Sequence, residues 1–314
     1  MWFTTPAKLN RAGVVGINER NGNLIMRYNE RRLYPLVDNK ILTKQLAEEA
    51  GMAVPKLYAV IETQHDVARL ETILEGREQF VMKPAHGSGG DGILVIENVT
   101  AKGLRRHDGT HLSFDEARYH ASTTLSGQYS LGGLPDKLMV EYRVQFDPLF
   151  EKISYQGVPD IRVIVFQGYP VMSMVRLPTR VSGGKANLHQ GAIGVGIDLS
   201  TGTTTSGSIG NEIIAEHPDT GNAISGLTLP GWQSILELAA RCFDITGLGY
   251  LGVDIVLDKE RGALILELNA RPGLNIQIAN FVGLGARIDA LRSRVRQPES
   301  AEARVAHARQ AFAQ

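Results

Sequence analysis

One run of this chain has residue types and spacing suited to metal chemistry: Gly252 to Gly273, GVDIVLDKERGALILELNARPG. It reads as two apolar strands joined by a polar turn, Asp258 to Gly262, which predicts a β-hairpin. Side chains alternate along a strand, and residues opposite one another in a hairpin share a face. With Leu257 opposite Leu264, Asp254 lies opposite Glu267, and Asn269 follows on the same face. Three oxygen donors then converge on an otherwise apolar sheet. Buried carboxylates without partners are costly, and a hard cation such as Mg²⁺ meets that need while sharing phosphate oxygens with a nucleotide. An edge hairpin with solvated acids would show the same alternation, so a second run matters.

That run is Phe80 to Glu97, FVMKPAHGSGGDGILVIE. A glycine-rich loop, His86 to Gly92, joins one strand to another. A Walker loop or a dinucleotide fingerprint needs a helix straight after its glycines, and none follows here. A strand-loop-strand flap instead lets backbone amides fold over phosphates, with Lys83 adding a point charge from the strand. Seven residues exceed what a tight hairpin turn needs. His86 and Asp91 are ambiguous, and neither is assigned a catalytic role.

Elements around these runs must position them. The first clear helix, DNKILTKQLAEEAG, is capped in this reading by Asp38 and stopped by Gly51, with Ile41, Leu42, Leu46 and Ala50 as its buried stripe. Lys40 and Lys44 stand where the helix dipole does not favour cations, which favours a role for one of them. A second amphipathic helix is predicted over 63–78, and another over 114–125 within the polar, glycine-punctuated stretch 101–137. Strand LMVEYRV, 138–144, holds Glu141, an acid in an apolar run that invites a partner. DIRVIVFQGYPVMSMVRLPT predicts a hairpin turning at Gln167 to Pro170, with Asp160, Arg162 and Arg176 at its ends. In KANLHQGAIGVG, Lys185, Asn187 and His189 alternate and could face one pocket. Residues 200–230 read as loop and short strand, 232–247 as a helix with Ile235, Leu238, Ala239 and Phe243 inward, and 283–296 as a last helix ending in Arg292, Arg294 and Arg296. The tail after Pro298 reads as a loosely docked helix. Residues 1–37 suggest a short strand or turn followed by polar positions such as Asn18, Arg20 and Asn21.

Composition sets bounds. At 314 residues and 43% hydrophobic, the chain can bury a sizeable core in two or three lobes. Lys plus Arg and Asp plus Glu both number 33, so no global charge recruits nucleic acid or an anionic membrane. The single cysteine, Cys242, excludes an internal disulfide and a multi-cysteine zinc site, and sits in an apolar helical pattern as a core thiol. No run has the length of a membrane span and the N-terminus, MWFTTPAKLNRAGVVG, lacks a long apolar h-region, so a cytoplasmic location is expected.

Taken together, MKPAHGSGGDGI, MVEYRV, DIRVIVFQG, KANLHQGAIG and GVDIV…LILELNARPGLN, in that order, resemble the ATP-grasp superfamily, and specifically the RimK-type α-L-glutamate ligases. The resemblance implies an α+β (α/β) fold with a nucleotide clamped between two antiparallel-sheet lobes. It implies a shortened N-terminal region at 1–37, lobes at 38–140 and 141–290, and a tail at 291–314. Lys40 and Lys83 match the family's ATP-contacting lysines, and His86, Gly87, Ser88, Gly89, Gly90 and Gly92 its phosphate flap. Glu141, Tyr142 and Val144 match the adenine-reading hinge, Asp160 the ribose acid, and Lys185 and Asn187 phosphate contacts. Asp254, Glu267 and Asn269 match its Mg²⁺ ligands, with Mn²⁺ as a substitute. Arg162, Arg176 and Arg271 are candidates for holding the acyl phosphate and the carboxylate. Relatives carry a full α/β domain before the helix near Asp38, and here Asn18 to Asn21 is a candidate replacement for part of that substrate surface.

The expected activity is an ADP-forming carboxylate–amine ligase that adds glutamate or another amino acid to a peptide or small acid. The rivals are a nucleotide-binding module that regulates a partner, and an ATP-grasp enzyme, kinase-like or acting on a sugar-linked substrate. Direct nucleic-acid binding is not expected, since no basic-aromatic stripe is present. Membrane insertion is not expected either, and self-association into a homo-oligomer stays open.

Overall fold

The computed structural model describes residues 5–87, 89–292, 294 and 299–313. The chain divides into two compact units: Asn39–Lys44 with Val54–Val144, and Met1–Asp38 with Gln45–Ala53 and Gln145–Gln314. Among the described residues, no helix is long and apolar enough to cross a membrane.

The smaller unit is built on strands β1 (Leu57–Ile61), β2 (Phe80–Pro84), β3 (Leu94–Thr100), β4 (Gly103–Arg106), β5 (His111–Leu112) and β6 (Leu138–Tyr142), paired antiparallel in the order β1-β6-β2-β3-β4-β5. Alternation divides its faces. Phe80, Met82, Ile96, Leu138 and Val140 are fully buried against Leu70, Leu74, Ala117 and Ala121, each large side chain contributing about 1.5–3 kcal/mol. Val81, Lys83, Met139 and Glu141 take the other face, with Val81 opposite Glu141 and Lys83 opposite Met139. The predicted helix Phe114–Leu125 is present, opened by a Ser113/Glu116 capping box. The helix expected over 63–78 is two short ones, Gln64–Ala68 and Leu70–Leu74, because Arg69 leaves helical geometry between them at φ −100°, ψ 14°.

Two expectations for the first clear helix, Lys40–Glu49, need correction. Its cap is Asn39, whose Oδ1 accepts the N–H groups of Ile41 and Leu42 at 3.0 and 3.2 Å, while Asp38 ends a short preceding helix, Pro35–Asp38. Its buried positions are Thr43, Lys44 and Ala47, and Ile41, Leu42, Leu46 and Ala50 are only half-buried. A charge-pairing partner for Lys44 rotates the buried face away from the apolar stripe. Gly51 does take the left-handed φ of +64° expected of a helix stop.

The larger unit is built on β7 (Asp160–Phe166), β8 (Tyr169–Leu177), β9 (Ile193–Ile197), β10 (Thr204–Ile209), β11 (Glu212–Ile214), β12 (Tyr250–Asp258) and β13 (Gly262–Asn269), in the order β11-β10-β9-β8-β7-β12-β13. β7 and β8 turn through Gln167 and Gly168, both at positive φ, as a two-residue hairpin requires. Helix Trp232–Thr246 buries Ile235, Ala239 and Cys242 completely, and Phe243 only partly. The stretch before Asp38 is helical rather than a strand: Pro6–Arg11, Ile17–Glu19, a π-helical turn Arg20–Ile25, and Met26–Tyr28. Gly285–Arg292 forms the predicted helix near the end, and Arg296 and Pro298 lie outside the described residues. The tail is not loose. Helix Ala301–Ala311 buries Val305 and Ala308 completely, and Arg304 is bidentate to Asp244 at 2.8 and 2.6 Å.

The register of β12 and β13 differs from the simple count. Leu257 faces Ala263 and Val256 faces Leu264, yet Asp254 faces Glu267. The register shifts by one residue between Asp254 and Ile255, leaving Leu266 as the extra residue of a bulge. The expected Leu257–Leu264 pair was therefore off by one, and the bulge restores the acid pair.

Candidate functional site

Each unit carries a cluster of buried charged side chains on one face of its sheet. In the smaller unit, Glu141 on β6 sits between two ammonium groups. Lys83 Nζ is 2.5 Å from its Oε1 and Lys44 Nζ 3.1 Å from its Oε2, with all three side chains no more than 7% exposed. Burial alone would raise the Glu141 pKa, but the two lysines outweigh it and hold the carboxyl below its ordinary range. Lys44 also donates to the Pro55 carbonyl. Two ammonium groups and one carboxylate thus share a dry setting.

Lys40 reaches the glycine-rich loop, donating from Nζ to the Gly87 carbonyl at 2.6 Å. Gly89, Gly90 and Gly92 have φ of +68°, +83° and +73°, a backbone that side-chain-bearing residues rarely adopt. Gly92 also lies against the Tyr129 ring, 2.6 Å from where a Cβ would stand. Ser88 lies outside the described residues. Tyr142 and Val144 are half-buried at the end of β6, where the Tyr142 N–H donates to the Lys56 carbonyl at 2.8 Å.

In the larger unit, β7, β8 and β12 bring four charges together. Asp254 lies opposite Arg162, and Asp160 opposite Arg176. Arg162 is bidentate to Asp254, through Nε and, at 2.7 Å, Nη2. Arg176 is bidentate to Asp160 at 2.5 and 2.6 Å and also donates to Asp254 at 2.9 Å. The chain of two acids and two guanidiniums is charge-balanced and buried. Burial raises the pKa of each acid; at Asp254 the two arginines outweigh it and hold the pKa low. At Asp160 burial, with the Asp254 charge nearby, prevails over Arg176 and pushes the pKa up to about 6.

Glu267 stands across from Asp254, and Asn269 Nδ2 is 3.4 Å from Asp254 Oδ2. A carboxylate offers about four lone-pair sites. Three are occupied on Asp254 by the arginines, and one on Oδ1 remains. With the half-buried Glu267 and the Asn269 amide, that makes an all-oxygen donor set of the hardness Mg²⁺ takes, so the residues fit this ion. Among the described residues, no three His, Cys, Asp or Glu side chains form a metal-binding group. A cation here would complete its shell with water or phosphate oxygens.

The structure thus brings together Lys83 with Glu141, Lys40 with the loop, and Asp160, Arg162, Arg176, Asp254 and Asn269, with Glu267 opposite. It does not bring in Arg271, which lies over the Tyr34 ring and 3.5 Å from Asp38. Asn187 caps a 3₁₀ turn, Leu188–Gln190, accepting the His189 N–H at 3.0 Å. That turn breaks the alternation expected of Lys185, Asn187 and His189, and leaves His189 exposed. Lys44 was outside the matched set. Its signal was a cation four residues after Lys40 on one helix face.

No curated protein matches the chain by sequence. Among solved structures it resembles the ATP-grasp ligase PsnB, solved with a precursor peptide and AMPPNP, at 15% identity and TM-score 0.46 over 86% of this chain and 61% of that one. It also resembles D-cycloserine synthetase DcsG, at 12% identity and TM-score 0.47 over 86% and 74%. D-alanine–D-alanine ligase from Bacillus anthracis is similar at 12% identity and TM-score 0.45 over 89% and 69%. The chain therefore spans about three fifths of PsnB. Residues 19–293 match the sugar-transfer associated ATP-grasp family. The chain belongs to that family and has the ATP-grasp fold, two antiparallel sheets with their helices.

Proposed function

We propose that this protein is an ATP-dependent carboxylate–amine ligase. The observation that carries the reading is the cross-strand pair Asp254–Glu267, with Asn269 on the same strand. In the reaction, a carboxylate oxygen attacks the γ-phosphorus of ATP and ADP leaves. An amine nitrogen then attacks the acyl carbon, phosphate leaves, and the amine loses a proton.

The side chains divide the work. Asp254, Glu267 and Asn269 would hold Mg²⁺, which neutralises phosphate charge and orients the transferring group. Lys83 and Lys40 add fixed positive charge, Lys83 held in place by Glu141. The loop amides from His86 to Gly92, Ser88 included, would cradle phosphate oxygens, and Lys185 and Asn187 would add contacts from their loop. The backbone of Glu141, Tyr142 and Val144 would read the base, and Asp160 the ribose. Arg162 and Arg176 hold Asp254 and Asp160 in place, and Arg176 is the candidate to turn toward an acyl phosphate. Arg271, more exposed than these, would steer a carboxylate substrate. Positioning and charge neutralisation are sufficient for this chemistry, and no nucleophilic side chain is required.

The amine is an amino acid, glutamate first among them, and the acid a peptide or small molecule, as in RimK-type ligases. A second reading, favoured by the family's sugar-transfer association, is that the carboxylate or amine is carried on a sugar. The test is ADP and phosphate release from Mg·ATP by the purified protein, with amino acids, short peptides and amino sugars or sugar acids as co-substrates. ADP with an amide product supports the ligase reading, and the productive set separates peptide from sugar substrates. AMP formation, or full turnover by Glu267→Gln, overturns it.

A further inference from the structure

Asp136 has no part in the chemistry above, yet its side chain is completely buried. Four donors meet its carboxylate. The His86 N–H reaches Oδ2 at 3.0 Å and the His86 ring Nδ1–H reaches Oδ1 at 2.7 Å. The Ser130 hydroxyl donates to Oδ2 and the Lys137 N–H to Oδ1, both at 2.7 Å. Four donors saturate a carboxylate, and charge-assisted bonds are the strong ones.

Three of the four donors belong to the glycine-rich loop or pair with it. His86 is its first residue, and Ser130 pairs with Gly87 in an isolated β-bridge. The far end of the loop is tied to the same segment. His120 Nε2–H donates to the Gly92 carbonyl at 3.0 Å, and the Gly92 α-carbon rests against the Tyr129 ring. The His120 and Tyr129 rings are themselves 5.3 Å apart. Both ends are thus held by one stretch, residues 114–136, while Gly89 and Gly90 between them keep positive φ. A loop held at both ends with a glycine centre presents its amides with less ordering cost on binding.

We infer that residues 114–136 are a strap for the glycine-rich loop and that Asp136 is its positioning residue, setting the loop's amides and the His86 ring for a phosphate group. The inference rests on the ATP-binding reading for its ligand, but not for its geometry. Two readouts on the whole 314-residue chain separate the two. Hydrogen exchange of residues 86–92, without nucleotide, should rise in Asp136→Asn by about 10- to 100-fold, the factor expected on losing a charge-assisted hydrogen bond. The exchange of β2 and β6 should not change. KM for Mg·ATP should rise by a similar factor, with kcat changed much less. If wild type binds no ATP, the ligase reading fails and the exchange arm still decides the strap. A folded Asp136→Asn with unchanged loop exchange overturns the inference, as does a rise spread evenly over the whole unit. Should that variant not fold, Ser130→Ala removes one donor and makes the same local prediction, and unchanged loop exchange there overturns it equally.

Discussion

Glu141→Gln is the substitution for which the structure forecasts the largest effect from the smallest change in shape. Wild type pairs one carboxylate, 3% exposed, with Lys83 and Lys44, 6% and 7% exposed. At an effective dielectric near 20, an ion pair at about 3 Å attracts by roughly 5 kcal/mol, most of which offsets desolvation. The amide of Gln keeps the volume and removes the charge, leaving two buried ammoniums facing a dipole. Breaking a buried pair in this way costs about 3–5 kcal/mol, with the two pairs overlapping rather than adding. At a urea slope of about 2 kcal/mol per molar, the midpoint for the smaller unit should fall by about 1.5–2.5 M. The assay is urea unfolding followed by hydrogen exchange in β2 and β6. A companion variant, Lys44→Met with Lys83→Met and Glu141→Leu, removes every charge and should recover most of the loss, since apolar replacement of buried ion groups is often neutral. A Glu141→Gln loss below about 1 kcal/mol, within the range of an exposed pair, refutes the reasoning. So would a companion variant as unstable as the single one, because the cause would then be packing.

Other consequences are as definite. Burial raises the Asp136 pKa but its donors outweigh that and hold it below the ordinary 3.8, so its contribution is complete above that value and is lost as pH falls further. Loop exchange, corrected for the intrinsic rate, should therefore be flat from neutrality down to about pH 4 and rise below it; a rise centred near pH 6 would contradict this. Burial pushes the Cys242 thiol well above its ordinary value, and its S–H donates to the Leu238 carbonyl at 3.3 Å. A thiol reagent should leave Cys242 unmodified in the native protein and react in denaturant, whereas fast native labelling would show the helix is not so packed. At Gly157 a Cβ would stand 1.8 Å from the Gly184 carbonyl oxygen, so Gly157→Ala should cost about 1–3 kcal/mol by overpacking, measurable as a lowered urea midpoint.

Much of the architecture was readable because local rules agreed with one another. The helix over 114–125 has a capping box at Ser113 and Glu116, and its bounds came out as expected. The hairpin over 160–177 turns at Gln167–Gly168, where the glycine supplies one of the two positive φ values. Failures came where tertiary contacts decide. Lys44 is buried because Glu141, far along the chain, needs a cation, and no helical periodicity contains that information. The tail helix docks because Val305 and Ala308 find a surface and Arg304 finds Asp244.

The candidate donors, Asp254, Glu267, Asn269, Lys83 and the loop glycines, can be proposed from the amino-acid sequence alone, since residue type and parity along a strand are local properties. Register is not local. Asp254 meets Glu267 through a bulge at Leu266 that the alternation does not show. Nor does the sequence reveal that Arg162 and Arg176 are engaged by Asp254 and Asp160, or that Asp136 holds the first residue of the loop fifty positions earlier. Those assignments depend on which charges lose their water together when the strands assemble, and only the tertiary structure decides that.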